Sequence, residues 1–295
     1  MDTFASLEVL KAFAEGVGRE SVNKLSTAIG ALFPFYGAKK VAVSTYIEDI
    51  KNSDLSPEEK LIAISGVKKR IKQLNNQIKI AQIAMNSAKE GTDFSMASQV
   101  DDEWLDRFMD SAKFVSNEEV QNIWGKILAG EFENPGSTPP STVRILSEIT
   151  AQYARAFQVL CSLEVELISR DFQKNTATAI KQIILPPEYD YLSEYGISFA
   201  TLTELSAIGL INPPQVTNYV FRIPREDSLK LRIKYGTQVA SILEYNDMAF
   251  PAGKVLLTRV GTTIYNLIDK SIIPTHFEAV CQYFKNEGVM LSKID

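Results

Sequence analysis

The residues best suited to chemistry are few in this chain and far apart. It has one histidine, His276, and two cysteines, Cys161 and Cys281, in 295 residues. A histidine triad, dyad or metal site would need His276, and the cysteines form no C-x-x-C pair. The glycines form neither a G-x-x-x-x-G-K-[ST] loop nor a G-x-G-x-x-G turn. We therefore predict no catalytic residue set, no metal site and no small-molecule cofactor, and we interpret His276 as a surface or capping residue.

Carboxylates cluster at one place, where Asp101, Asp102, Glu103 and Asp106 could together bind a divalent cation. The same residues begin a predicted helix, and negative charge at that end is favoured by the helix dipole. Helix capping therefore explains the cluster without a metal. An enzyme with an unrecognised site is the alternative to the non-enzymatic interpretation.

One cluster of basic residues lies on the longest predicted helix. Ser56 is an N-cap, Pro57 suits the first helical position, and no proline follows before Gly91, so one helix of about 33 residues is predicted. Its apolar positions alternate spacings of three and four, which indicates a heptad seam against another helix. These positions are Ile64, Val67, Ile71, Leu74, Ile78, Ala81 and Met85.

The same helix carries seven basic and no acidic residues between Lys60 and Lys89. Two interpretations remain: a solvated face of a helical bundle, or a surface for an anionic partner or an anionic lipid membrane. The candidate contact residues are Lys68, Lys69, Arg70, Lys72 and Lys79.

A second basic cluster lies beyond residue 185, where a short helix closed by Gly209 precedes strand-like runs at 218–223, 229–235, 238–245 and 255–258. This order looks like a winged helix. No Lys or Arg occurs from Glu194 to Asn212, so the helix that would enter a DNA groove lacks phosphate contacts. We expect a protein-contact or scaffold role before nucleic-acid binding. The predicted basic wing consists of Arg222, Arg225, Lys230, Arg232 and Lys234.

Between the two clusters, residues 101–160 predict three or four short helices. Ser116 with Glu119 is a predicted capping box, the helix that follows is expected to end at Gly130, and Thr142 can cap the next one after a proline-rich turn. Both tryptophans occur here at helical spacing, which favours a buried core over a cofactor site. The predicted core residues are Trp104, Phe108, Trp124, Leu128 and Phe157.

Several runs in this region match a known pattern. They are 102–105, 116–119, Ile123-Trp124-Gly125-Lys126-Ile127-Leu128-Ala129-Gly130-Glu131, Pro135-Gly136-Ser137 and Ala156-Phe157. In these runs the chain resembles a family of bacterial proteins classed as a domain of unknown function. A shorter Trp-centred version is similar to the abortive-infection alpha family, which is associated with phage defence. The resemblance implies kinship and a role in defence, and it brings no catalytic residues.

Composition is that of a folded protein, with 45% hydrophobic and 23% charged residues and a net charge of −5. The fold class predicted is mainly α with a smaller α+β part: an N-terminal helical bundle with the long heptad helix, and a C-terminal winged-helix-like module. The predicted domains are 1–95, 96–185 and 186–295.

The 14 uncharged residues at 25–38 are too few to span a bilayer. Without a leader-like start or a disulfide framework, we expect a cytoplasmic protein, peripheral at the inner membrane if it binds lipid.

The function expected from these features is that of a non-enzymatic helical sensor or scaffold in bacterial antiviral defence. It would act through homo-oligomerisation and contact with a partner protein of the defence system. Two alternatives stay open: an effector that binds anionic lipid membranes, and a nucleic-acid-binding regulator that uses the basic wing.

Overall fold

The computed structural model describes residue 24 and residues 45–89, 95–171, 176–187, 189–213, 219–223 and 229–294. The uncharged segment 25–38 lies outside these residues, as does Arg225 of the predicted wing. The chain divides into two compact units, Met1–Ala151 and Gln152–Asp295. This division differs from the three segments expected from the sequence, because α1 at the end of the first segment packs against helices of the second.

The described part of the first unit is helical. A helical segment at 45–52 precedes the main helices, and a short 3-10 turn lies at Ala97–Gln99. The main helices are α1 (Pro57–Lys89), α2 (Asp102–Ala112), α3 (Glu118–Glu133) and α4 (Pro140–Glu148).

The prediction of one long helix is confirmed, since α1 runs for 33 residues. At its start, the Ser56 amide donates to Glu59 Oε2 (2.9 Å) and the Glu59 amide donates to Ser56 Oγ (3.3 Å), which is a capping box. The C-terminal half of α1 packs mainly against α3. Two polar side chains fix this position: Asn76 Nδ2 donates to the Lys113 carbonyl (2.9 Å) and Gln77 Nε2 donates to the Met109 carbonyl (2.8 Å).

The predicted heptad seam is buried only in this half. Ile78 and Met85 are buried, whereas Ile64 and Ile71 are only partly buried. Ile80 is also buried, although it lies outside the heptad positions, so the buried stripe is wider than the sequence pattern predicts. The reason is that α1 contacts both α2 and α3 here, and a helix with two neighbours buries a wider face.

The aromatic residues of α2 and α3 form the core of the first unit. Trp104 stacks on Phe108 with ring centroids 4.9 Å apart, and Phe108 meets Trp124 at 4.7 Å. Leu128 is also fully buried, so these four predicted core residues are buried as expected. The fifth, Phe157, is buried as well but belongs to the second unit.

Three local expectations were wrong at the ends of these helices. The N-cap of α3 is Asn117, whose side chain accepts from the Val120 amide, and not Ser116. The helix continues past Gly130 to Glu133 because Gly130 keeps helical geometry, and the chain turns with positive φ only at Gly136. Thr142 is buried inside α4, which begins at Pro140.

The second unit combines helices with antiparallel strands. A 3-10 helix lies at Asp190–Tyr195. The helices are α5 (Ala151–Ser162), α6 (Phe199–Ala207), α7 (Arg259–Tyr265) and α8 (His276–Asn286). The strands are β1 (Glu164–Asp171), β2 (Thr176–Ile183), β3 (Val220–Phe221), β4 (Leu229–Tyr235), β5 (Gln238–Glu244), β6 (Phe250–Pro251) and β7 (Met290–Ile294).

Five of these strands form one sheet in the order β2-β1-β4-β5-β7, with every neighbouring pair antiparallel. A separate pair joins β3 to β6. One face of the sheet carries the core, where Leu167, Ile233 and Ala240 pack in a cluster with Phe277 and Phe284 of α8. The coarse prediction of a mainly helical protein with a smaller β part is confirmed.

Two features of the sheet were not expected. β1 and β2 lie inside segment 96–185, which was predicted to be helical, although Val165 and Leu167 alternate with polar residues as in a half-buried strand. The hairpin predicted as a wing exists as β4 and β5, but it lies in the middle of the sheet, paired with β1 and β7 on its two sides. Within the described residues, no helix combines the length and hydrophobicity needed to cross a membrane.

Candidate functional site: a basic sheet face

Three residues of the predicted wing lie on the central strand β4 and point away from the core. Side chains alternate along a strand, so burial of Leu231 and Ile233 places Lys230, Arg232 and Lys234 on the opposite face. Lys230 and Arg232 are exposed, and Lys234 is partly exposed. Three of the five residues of the predicted wing thus share one face of the central strand.

Strand pairing adds two cationic residues to this face, and neither belongs to the predicted wing. Arg170 lies directly opposite Lys230 on β1, and Lys181 of β2 lies opposite Glu166, which in turn lies opposite Lys234. Directly paired residues share a face of the sheet. We call this surface the basic face, and it consists of Arg170, Lys181, Lys230, Arg232 and Lys234.

One end of the basic face is compensated by two glutamates. Glu166 pairs with Lys234 (3.2 Å) and lies 3.9 Å from Lys181. Glu164 pairs with Lys181 (3.0 Å) and with Lys270 (2.6 Å). The opposite end of the face holds Arg170, Lys230 and Arg232.

That opposite end is centred on Lys230 and Arg232. Neither side chain forms a hydrogen bond or an ion pair with any residue that the structure describes. Their cross-strand neighbours are Arg170, Ile168 and Ser241, and none of these is acidic. Within the described parts of the chain, no carboxylate therefore neutralises Lys230 or Arg232.

The compensated end has a different character. Glu164 also accepts a hydrogen bond from the Tyr265 hydroxyl, and the Lys270 ammonium lies 3.5 Å from the centre of the Tyr265 ring. Burial would raise the pKa of Glu164, but the hydrogen bonds from Lys270, Tyr265 and Lys181 outweigh it and hold the pKa below its usual value. Burial, together with the bond to Glu164, raises the pKa of Tyr265.

Glu164 and Lys270 border a cleft of about 170 Å³. Because Glu164 stays ionised and Tyr265 stays protonated, neither is ready to exchange a proton near neutral pH. The cleft is therefore an ion-paired support for one end of the sheet. The sequence gave no signal for it, because Glu164, Tyr265 and Lys270 are distant along the chain.

The interpretation of His276 as a surface or capping residue was wrong. Its side chain is completely buried at the start of α8, where Thr275 is the N-cap residue. Nε2 lies 3.2 Å from the Leu163 carbonyl, which can only accept, so Nε2 carries the proton. Nδ1 then accepts from the Tyr191 hydroxyl at 2.8 Å.

The ring edge also contacts Tyr235 at 4.8 Å between centroids. Burial lowers the pKa of His276 to about 4, so the imidazole is neutral at physiological pH. Both its nitrogens are used, and the ring is out of reach of a substrate.

The two cysteines are also buried. Cys161 and Cys281 are free thiols in the core of the second unit. Burial raises the pKa of Cys161, which disfavours the reactive thiolate.

The acidic cluster at 101–106 caps and stabilises the start of α2. Asp101 Oδ1 accepts from the Trp104 amide at 2.8 Å as the N-cap of α2, and Glu103 pairs with Arg107 at 2.5 Å. Among the described residues, no three His, Cys, Asp or Glu side chains are grouped to hold a metal ion.

The cationic residues of α1 do not form one face. Lys68 and Lys72 are one turn apart on an exposed stripe, whereas Arg70 is two positions from each and lies on another side. Lys69 is also exposed. Lys79 continues the stripe of Lys68, but it pairs with Glu118 at 2.5 Å. Arg222 is exposed at the end of β3, outside the basic face.

The tryptophan-centred pattern has a structural explanation in the first unit. Glu131 is buried at the end of α3, and its carboxylate accepts from the amides of Gly136 (2.5 Å) and Thr138 (2.8 Å) and from the Ser137 hydroxyl (3.3 Å). Gly125 lies where α1 and α3 touch, and a Cβ at this position would fall 2.3 Å from Ile83 Cγ2. The pattern thus specifies helix packing and a turn.

The chain was compared with models of known protein families. A model described as DUF2806, a protein of unknown function, matches residues 66–280. The chain belongs to the DUF2806 family. The DUF2806 match begins within α1 and ends within α8, so it includes the aromatic core, the Glu131 turn and the whole basic face. The searches of curated proteins and of solved structures found no match.

Proposed function

We propose that this DUF2806 protein is a non-enzymatic scaffold that binds a polyanionic partner through the basic face. The observation that carries the proposal is the pair Lys230 and Arg232, exposed on a central strand without an acidic partner among the described residues. In line with the resemblance to the abortive-infection alpha family, we propose that this binding serves bacterial antiviral defence, in a cytoplasmic protein that also self-associates.

The spacing of the cations favours an extended anion over a single ion. Residues two apart on one strand are separated by roughly 6–7 Å, so Lys230, Arg232 and Lys234 form a row of three charges. Arg232 can form two parallel hydrogen bonds with a phosphate or a carboxylate. A chain of phosphates or an acidic protein segment would meet several of these cations at once.

Sequence-independent binding is expected if the partner is a nucleic acid. The outward residues of the described strands β1, β2, β4 and β5 include no aromatic side chain on which a base could stack. We propose that α6 followed by the β4–β5 hairpin forms the winged-helix-like arrangement expected from the sequence. Because α6 contains no Lys or Arg, the contact in this arrangement is made by the hairpin.

The experiment is a charge reversal with a matched control. The double variant Lys230→Glu/Arg232→Glu removes the centre of the basic face, while Arg259→Glu/Lys285→Glu makes the same change in net charge at exposed positions elsewhere in the second unit. Binding to heparin, duplex DNA, RNA and a polyglutamate peptide is measured at several salt concentrations. We expect the first variant to lose about tenfold or more in affinity and to show a weaker salt dependence.

The control variant should stay close to wild type. Equal losses in both variants would show that only the net charge matters, and that result would overturn the proposal. Phage plaque formation on cells that express wild type or Lys230→Glu/Arg232→Glu tests the defence role. Protection by wild type that is lost in the variant is the expected result.

A second candidate function is binding to an anionic membrane through α1. It is favoured by Leu61, which is 70% exposed and lies two turns before Lys68 on the same stripe as Lys72. An exposed apolar side chain next to lysines is typical of interfacial helices. Vesicles of phosphatidylglycerol test it: Lys68→Gln/Lys72→Gln should weaken binding, and unchanged binding would exclude this surface.

A further inference from the structure

Strand β2 is an open edge of the five-stranded sheet. Among the strands that the structure describes, it pairs only with β1, and its five consecutive residues 177–181 are all exposed. Ile180, on the side of the sheet that carries the core, is 48% exposed. At the other end of the strand, Gln182 Nε2 donates to the Val255 carbonyl (3.3 Å), so the open part is 177–181. Within the described parts of the chain, nothing pairs with the outer backbone groups of this segment.

Most of the usual means of protecting an edge are absent from β2. The opposite edge strand, β7, has five residues, and its pairing with β5 is interrupted by a bulge between Ile242 and Glu244. β2 has eight residues, contains no proline and keeps an unbroken register with β1. Bulges, short strands and charged side chains are what discourage edge pairing, and β2 has only the last of these.

That single charge does not protect the edge either. Lys181 is the one charged residue of β2, and it is drawn onto the basic face by Glu164 at 3.0 Å and Glu166 at 3.9 Å. An approaching strand therefore meets a lysine whose charge is already compensated within its own chain.

We propose that β2 of one copy pairs antiparallel with β2 of a second copy about a two-fold axis centred on Ile180. In this register the two Ile180 side chains lie opposite each other and Lys181 lies opposite Ala179, so both pairs fall within the open part of the strand. No like charges face each other directly, and the apolar centre gains a cross-strand contact. A strand that is complementary to itself in this way selects a second copy as its occupant, and such isologous contacts are the commonest in homo-oligomers.

The geometry of the pairing links it to the basic face. A two-fold axis perpendicular to the sheet leaves the same side of both copies facing the same way. The two basic faces then form one surface across a continuous sheet, which would bind a long polyanion with two sites at once. This consequence rests on the proposed function, whereas the pairing itself does not.

The first test introduces a charge at the centre of the interface. Ile180→Lys places two lysines opposite each other, and Met248→Lys makes the same replacement at a loop residue of similar exposure, 58%. Light scattering after gel filtration, across the micromolar range, should give a dimer for wild type and Met248→Lys and a monomer for Ile180→Lys. A monomeric wild type, or a dimeric Ile180→Lys, would overturn the pairing.

A second test does not depend on destabilising the strand. Directly paired residues have Cα atoms about 4.5–5.5 Å apart, which suits a disulfide, so Ile180→Cys should cross-link under mild oxidation. The native cysteines Cys161 and Cys281 are buried and should not compete. Thr203→Cys, at an exposed position of α6, serves as the control. Cross-linking no faster than that of Thr203→Cys would contradict the register.

Binding to short and long polyanions distinguishes a failure of the β2 pairing from a failure of the proposed function. Ile180→Lys should bind short duplexes as wild type does and lose the additional affinity of wild type for long ones. Lys230→Glu/Arg232→Glu should remain dimeric, while its affinity for short duplexes and the additional affinity for long duplexes are both lost. A dimer that binds no polyanion would overturn the proposed function alone, and a monomeric wild type that binds polyanions would overturn the pairing alone.

Discussion

Replacing Gly125 with alanine tests the closest contact in the first unit. A Cβ at this position would lie 2.3 Å from Ile83 Cγ2 and 2.5 Å from Ile83 Cβ. Carbon atoms in contact prefer about 3.5–4.0 Å, so both distances are too short by more than about 1 Å. Relief requires that α3 move away from α1, which opens the packing around Trp124.

Two opposing effects determine how much Gly125→Ala changes the free energy of unfolding. Overpacking of this kind costs about 1–3 kcal/mol, and contacts this short place Gly125→Ala at the upper end. Alanine in a helix is favoured over glycine by about 1 kcal/mol. The net expectation is that Gly125→Ala lowers the free energy of unfolding of the first unit by about 2 kcal/mol.

The same helix provides the control. Gly130 is also helical, and a Cβ there would have no atom within 4 Å. Gly130→Ala should therefore stabilise the unit by about 0.5–1 kcal/mol, because only the helix preference acts. Both substitutions replace glycine with alanine, but their effects on the free energy of unfolding should have opposite signs.

The assay is urea unfolding followed by tryptophan fluorescence. Both tryptophans of the chain, Trp104 and Trp124, lie in the core of the first unit, so their emission reports on that unit alone. Stabilisation of similar size by both substitutions would refute the close approach of α1 and α3.

Three further predictions concern buried polar and titratable groups. Glu131→Gln should destabilise the first unit by about 1–3 kcal/mol in the same assay, because one loop amide loses its buried acceptor. His276 has a folded-state pKa of about 4, below its ordinary value of 6.5, so the unfolded chain binds the proton first and stability of the second unit falls as pH drops from 6.5 to 4. The loss is about 3 kcal/mol, and hydrogen exchange in α8 should show a flatter pH dependence for His276→Gln. Cys161 and Cys281 should resist a thiol reagent until the protein is unfolded, when both react; labelling of the native protein would contradict their burial.

Features that depend on neighbouring residues could be predicted from the sequence. The extent of α1 follows from Ser56, Pro57 and the absence of later breakers, and the aromatic core follows from helical spacing in α2 and α3. The basic residues of β4 were also identified, because charge is visible in any architecture. Even the signature with Gly125 and Glu131 was recognised as a pattern, although its meaning was not.

Features that depend on distant residues could not be predicted. His276 was assigned to the surface because a helix start is normally exposed, and only the approach of Tyr191 and Leu163 encloses it. The strand β1 was missed because its alternation is short and follows a helix.

The sequence by itself determines the extent of α1, the helical character of α2 and α3, and which side chains carry charge, because capping, periodicity and ionisation are local properties. The tertiary structure decides which charges are neutralised. Glu164 and Glu166 compensate Lys181 and Lys234, while in the strand pairs that the structure describes no acidic residue lies opposite Lys230 or Arg232. Coulomb energy depends on distance in space, and strand pairing brings together residues that are more than sixty positions apart along the chain.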